Sequence, residues 1–213
     1  MMSCGPTVIA SDQVTGEKGT VLNASVQPRC LGRFQLERLL GRGQMGEAWK
    51  AYDPTREDYV VVKILPSELQ GNVRELDRVK RSFLCIQRLQ HQHICPVYDL
   101  GEDAETGHYL VMKFLPFGTL DDYVAEYFRL HGPLPVDEAV RVLRPIAEAL
   151  DYAHSQAVVH RDLKPANILV SGDGDDAQLI DFGLAAEIRT SLTRTTRTVS
   201  ESPGTLAYMA PEQ

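Results

Sequence analysis

The segment His160-Arg161-Asp162-Leu163-Lys164-Pro165-Ala166-Asn167, followed fourteen positions after Asn167 by Asp181-Phe182-Gly183, constrains this chain more than any other part of it. It sets an acid, a base and an amide in one register, and a second carboxylate arrives on what reads as the next strand. A fold that accommodates both must bring a loop and a strand end to one pocket. There Asp162 can meet a hydroxyl while Asn167 and Asp181 hold a hard divalent cation, Mg²⁺, against a triphosphate.

The organisation upstream suits such a pocket. Phe34, Leu36, Leu39 and Leu40 read as a strand running into Gly41-Arg42-Gly43-Gln44-Met45-Gly46, and Glu47 to Tyr52 as the returning strand, with Asp53-Pro54 as a turn. Glycines so spaced also open helices in dinucleotide-binding folds. Here the residues after them alternate like a strand, so the glycines belong to a hairpin whose amides can close over phosphates. The β-branched run Tyr59–Leu65 carries Lys63 and predicts a buried strand. Val73, Leu76, Val79, Phe83, Ile86 and Leu89 form the stripe of an amphipathic helix. Further strands fit Pro96–Leu100 and Tyr109–Phe114. After Pro133 the pattern predicts a long helix with Val136, Val140, Leu143, Ala147, Leu150 and Ala153 on its buried face and Pro145 bending it. The acidic stretch Gly172-Asp173-Gly174-Asp175-Asp176 lacks the closing Glu of a calcium loop and reads as a solvated hairpin turn.

Composition narrows the partners. The 213 residues suffice for one large domain or two small lobes, and a net charge of −7 argues against nucleic-acid or anionic-membrane binding. No apolar run approaches the roughly 18 residues of a membrane helix, and the first residues lack the basic and apolar regions of a secretory signal. Cys4, Cys30, Cys85 and Cys95 show no Cys-x-x-Cys pairing, which fits reduced thiols in a cytoplasmic protein. Residues 1–32 show no periodicity and read as a mobile tail.

Taken in order, these motifs resemble those of the serine/threonine protein kinases, and Trp49-Lys50-Ala51-Tyr52-Asp53 with Met209-Ala210-Pro211-Glu212-Gln213 looks like the bacterial members. The resemblance implies an α+β fold of two lobes. Residues 33–114 would form an N-lobe of antiparallel sheet plus one helix, and 115–213 a partial, helical C-lobe. It implies ATP with Mg²⁺ or Mn²⁺ as cofactors and Ser/Thr-bearing proteins as substrates. Nucleotide would lie against Leu40, Gly41, Gly43, Gly46, Ala48, Val61, Lys63, Met112 and Leu169, with Asn167 and Asp181 on the metal. Asp162, Lys164, Lys63 and Thr205 would be catalytic: Asp162 accepts the hydroxyl proton, Lys164 neutralises charge on the transferred group, and Thr205 bridges the two. Between Asp181 and Glu212 the chain is rich in Ser and Thr interleaved with Arg, so Arg161 would pair with a phosphorylated residue of that loop, and a dimer would serve its autophosphorylation. His91 and His93 fall at a loop position of the family and His160 in its core, so none is read as a metal ligand or a catalytic base.

Three departures qualify the resemblance. Ala48 and Val61 exchange the usual volumes at two positions facing the adenine, a tolerable swap. The family's helix Glu, partner of the strand lysine, aligns with Ser82; Glu75 shares the face but sits roughly 10 Å away along the axis. Lys63 is therefore expected to lack a protein counter-charge and to be organised by nucleotide, with low basal activity. Finally, the family continues past Ala210-Pro211-Glu212 with further helices, so a fragment or truncated product exposing apolar surface is expected. Ser82 also keeps a second reading open, a pseudokinase or fragment that binds nucleotide or partners without transfer, and a small-molecule phosphotransferase is a third.

Overall fold

The computed structural model describes residues 29–43, 46–69, 72–182, 188 and 208. Strands β1 (Arg29–Leu31), β2 (Phe34–Gly43), β3 (Gly46–Asp53), β4 (Asp58–Ile64), β5 (Val97–Asp103) and β6 (Gly107–Lys113) form one sheet in the order β1-β2-β3-β4-β6-β5, with every neighbour antiparallel. The sheet begins earlier than composition predicts: Arg29 pairs with Leu36 and Leu31 with Phe34, so the end of the expected tail is ordered. A tight turn at Gly32 (φ +55°) makes that pairing, and Arg33 then ties it down by a two-point contact to the fully buried Asp53 at 3.0 and 3.2 Å. Burial alone would push the Asp53 carboxyl up, but the Arg33 hydrogen bond and the Thr55 amide outweigh it and hold it below the usual range.

Period-two alternation splits this sheet into two faces. Val60, Val62 and Ile64 pack with Leu31, Phe34, Leu36, Ala51 and Val111 in an outer core. Val61 and Lys63 point the other way, toward helix α1 (Val73–Ile86) and the cleft. Helix α1 is capped by Asn72, whose side chain accepts the Glu75 amide, and it buries Glu75, Val79, Phe83 and Ile86. Val73 is 72 % exposed, and Leu89 reaches the core only after the helix has ended, so the predicted stripe holds in its middle.

The second lobe holds α2 (Leu120–His131), α3 (Val136–Ser155) and a small antiparallel sheet of β7 (Gly118–Thr119), β8 (Ile168–Val170) and β9 (Ala177–Leu179). Helix α2 escaped the sequence reading because only Leu120 of its apolar residues is buried. Its signal lies instead in a capping box, with Thr119 and Asp122 exchanging bonds, and in Gly132 at its end. Helix α3 runs where predicted but is rotated. Its buried face is Val142, Ile146, Ala149 and the expected Ala153, with Leu150 half-buried beside it, while Val136, Val140 and Leu143 are 77, 44 and 43 % exposed. The two stripes lie about 110° apart around the axis, and the sequence offered no means to rank them. A continuous core joins the lobes, from Leu65, Val79, Phe83 and Leu110 through Phe182 to Val142 and Ile146.

The acidic turn between β8 and β9 is not simply solvated. Gly174 is buried with φ +74°, and a Cβ there would lie 2.5 Å from the Tyr123 hydroxyl and 2.7 Å from Nη2 of Arg141. Arg141 donates to the Asp175 carboxylate and, at 3.0 Å, to the Asp173 carbonyl, while also holding Glu138. The turn is thereby fastened to α3, and the Tyr123 hydroxyl adds a bond to Glu138.

Candidate active site

The cleft between the lobes is built from β2–β4 above and the loop after α3 below. Above it, the register places Ala48 opposite Lys63, Val61 opposite Met112 and Lys63 opposite Leu110. Cross-strand partners share a face, so Ala48, Val61, Lys63 and Met112 line one wall, as their assignment to nucleotide requires. Gly41 pairs with Ala48 and Gly43 with Gly46, which closes the glycine hairpin over that wall. Gly46 has φ +96°, and a Cβ on it would lie 1.8 Å from the Ile64 carbonyl oxygen, so only glycine lets the hairpin arm cross β4 this closely. Leu40 is 41 % exposed before the hairpin, and Leu169 sits in the middle of β8, paired with Thr119 on one side and Gln178 on the other.

Below, one compact set of bonds forms the loop 160–167. His160 is 2 % exposed and its ring lies 4.6 Å from that of Phe182. Its Nδ1 accepts the Asp162 amide at 3.3 Å, which leaves Nε2 as the protonated nitrogen, donating to the Ile180 carbonyl at 3.0 Å. Burial pushes the imidazole pKa down, consistent with that neutral tautomer. Arg161 takes φ 61° and turns outward, which aims Asp162 inward. The Asp162 carboxylate is buried, and its Oδ2 receives Asn167 Nδ2 at 3.0 Å and Lys164 Nζ at 3.2 Å. Asn167 also bonds the Asp162 carbonyl at 2.7 Å. Its amide nitrogen is thus committed, and the oxygen is the atom it has for a cation.

The two halves meet at Asp181. The Ile180 amide donates to the Asn167 carbonyl at 3.0 Å, so Asp181 follows directly from a residue fixed to the catalytic loop. Asp181 has φ 60°, and its Oδ2 lies 2.6 Å from Lys63 Nζ, with both side chains largely buried. Lys63 is therefore paired, contrary to the expectation drawn from Ser82: a carboxylate from the lower lobe substitutes for one on α1. Glu75 is buried on α1 and lies 3.4 Å from Arg78, one turn along. Behind Asp181 a small apolar cavity is lined by Phe83, Ile86, Val97, Leu110 and Met112.

Asn167 Oδ1 and the Asp181 carboxylate supply the hard oxygen donors that suit Mg²⁺, an ion that takes few protein ligands and fills its shell with water and phosphate oxygens. Among the described residues no cluster of three or more His, Cys, Asp or Glu side chains offers a site for another metal. His91 stacks on Tyr152 at 5.3 Å and His93 Nδ1 contacts the Ala177 carbonyl at 2.9 Å, the loop role expected of them. Thr205 and the Ser/Thr-rich loop lie outside the described residues.

Sequence reasoning misses two neighbours and one role. It gives Asn167 to the metal alone, although its amide is what fixes Asp162. Cys95 lies behind the strand end, its thiol 3.5 Å from the Lys113 carbonyl, and burial pushes its pKa up to about 12, so it remains a thiol. Glu47 ties the glycine hairpin from outside. Only the last left a sequence trace, a carboxylate placed symmetrically to Arg42 about the hairpin.

A family model described as "Protein kinase domain" matches residues 34–213. The serine/threonine-protein kinase PknE of Mycobacterium bovis is 41% identical over 184 residues, covering 85% of this chain and 31% of its own length. PknH of the same organism is 39% identical over 85% of the chain and 29% of its own length. The chain thus spans about a third or less of these relatives. In three dimensions, the crystal structure of the Mycobacterium tuberculosis PknI kinase domain superimposes with a TM-score of 0.64, at 28% identity, over 75% of this chain and 63% of that one.

Proposed function

This chain belongs to the protein kinase family, and from that premise we propose that its cleft transfers the outer phosphoryl group of ATP to Ser or Thr hydroxyls of proteins. The convergence of Asp162, Asn167 and Lys164 beneath Lys63 and Asp181 carries this reading, because it sets a proton acceptor, two cations and two metal-suited oxygens around one cleft. The substrate hydroxyl lies against Asp162, which accepts its proton as the new O–P bond forms and the bond to the bridging oxygen breaks, leaving ADP. Lys164 meets charge on the transferred group, and Lys63 turns from Asp181 toward the α- and β-phosphates. Asn167 and Asp181 would hold Mg²⁺, which would supply charge neutralisation at the outer phosphates.

Regulation by phosphorylation of the loop before Glu212 belongs to this proposal, with Arg161 as receptor for the phosphate, Thr205 as bridge between Asp162 and Lys164, and a transient dimer for the first modification. Thr205 and the loop leading to it favour protein substrates, and the net charge of −7 argues against nucleic acid as a partner. Reduced Cys30, Cys85 and Cys95 fit a cytoplasmic setting, and no helix of the described residues is long and apolar enough to cross a membrane.

Ser82 favours a second reading, a nucleotide-binding module without transfer. Radiolabel from [γ-³²P]ATP on a basic protein substrate, lost in Asp162→Asn, supports the enzyme. Nucleotide binding with no label above the Asp162→Asn background favours the module.

A further inference from the structure

The glycine hairpin has a second, outward face. Ala48 faces the cleft with Lys63, so Glu47 and Trp49 alternate to the opposite side, where Trp49 packs on the outer core of Ala51, Val60 and Val62. On that side Arg42 Nη2 lies 2.8 Å from Glu47 Oε1, and Trp49 Nε1 donates to Glu47 Oε2 at 3.0 Å. Both carboxylate oxygens are thus taken. Arg42 and Glu47 are direct cross-strand partners, one step from the Gly43–Gly46 pair at the hairpin tip. The Arg29 guanidinium lies 5.4 Å from the centre of the Trp49 ring and covers it.

Nothing else among the described side chains holds the tip in this way. Gly41 and Gly43 have open space where a Cβ would be, and the ladder slips register between Leu39 and Gly41. A glycine hairpin with a bulge at its base has little side-chain packing of its own to fix its height. The clamp opposes that freedom by joining both arms to a tryptophan anchored in the outer core. We propose that Glu47 is a positioning residue: through Arg42 and Trp49 it sets the height of the glycine hairpin over the nucleotide phosphates, without touching the nucleotide. This rests on the kinase reading above.

An exposed ion pair is ordinarily weak, and Arg42 is 67 % exposed. Glu47 is only 25 % exposed and bonded twice, so its removal is expected to weaken MgATP binding about fivefold, the strong end of that range. The chain has a single tryptophan, so intrinsic fluorescence reports from Trp49 itself, and calorimetry checks the constants. The decisive contrast is MgATP against adenosine, which keeps the adenine contacts but has no phosphates. Loss of MgATP affinity in Glu47→Ala with adenosine binding unchanged, and an Arg42→Ala/Glu47→Ala double variant no weaker than Glu47→Ala, supports the proposal. Equal loss for both ligands, or no loss for either, overturns it. Wild-type chain that binds neither ligand overturns the kinase reading itself, and the clamp's role with it.

Discussion

Lys63 and Asp181 meet at 2.6 Å across the cleft, joining β4 of the upper lobe to the residue two places beyond β9 of the lower one. The pair satisfies both charges without nucleotide, yet it occupies the carboxylate proposed to hold the metal. Asp181→Asn keeps a residue tolerant of the left-handed backbone at φ 60° while removing the charge. Phosphoryl transfer should fall by about 10²-fold or more, and the Tm should fall as well, because Lys63 loses its largely buried carboxylate partner. Asp181→Val should lower the Tm further, because a β-branched residue is strained there. Radiolabel transfer and thermal melts separate the two effects.

Ser82 on helix α1 is half-buried and stands where the kinase resemblance implies a Glu that partners the strand lysine. Ser82→Glu should draw the ammonium toward α1, release Asp181 and raise turnover roughly threefold, a barrier change of about 0.65 kcal/mol. An unchanged or lower rate in a steady-state assay refutes this.

His160 is buried and held neutral, its pKa pushed below the ordinary value near 6.5. A depressed imidazole favours folding while both states are neutral. As pH falls below about 6.5 the unfolded chain takes up the proton first, and stability declines until the folded pKa is passed. Urea midpoints measured from pH 8 to pH 5 should be flat and then fall, and His160→Phe should flatten the acid limb. A limb of unchanged slope in the variant assigns it to other groups.

Gly174 combines a positive φ with contact to Tyr123 and Arg141. Gly174→Ala should cost about 1–3 kcal/mol from backbone strain alone, and more if Arg141 is displaced from the turn. Equilibrium urea unfolding measures it, and Gly172→Ala, where the added Cβ meets nothing within 4 Å, is the control.

The rotation of α3 gives opposite expectations for its two apolar stripes. Ile146→Ala should cost about 2–5 kcal/mol. Val140→Lys, on the exposed stripe, should stay within about 0.5 kcal/mol and improve solubility. Denaturant midpoints for the two variants decide which stripe is the core.

What the sequence made legible follows from how each feature is encoded. Lys63, Asp162, Asn167 and Asp181 were readable because their spacing is chemical, and the structure gathers them into one pocket. The strands β2 to β6 were readable because alternation and glycines mark them. Helix α2 was not, since it buries one apolar residue and announces itself only by the Thr119–Asp122 cap. The face of α3 was not, since Val136, Val140 and Leu143 repeat as regularly as Val142, Ile146 and Ala149. The Lys63–Asp181 pair spans 118 positions, and no local pattern encodes a choice between two carboxylates at that range. Likewise the clasp of Arg141 on the acidic turn depends on how two distant segments dock.

The chain leaving α1 has one further mechanical meaning. The Leu179 amide and carbonyl are both held by that segment, through the His93 carbonyl and the Cys95 amide at 2.9 Å each, while Gln90 donates to the Tyr152 hydroxyl on α3. The strip from Gln90 to Cys95 is therefore laced to the lower lobe although α1 itself lies against the upper sheet. A displacement of the helix is therefore passed to the strand leading into Asp181 through main-chain hydrogen bonds rather than across the open gap, which ties the position of α1 to that of the Asp181 carboxylate.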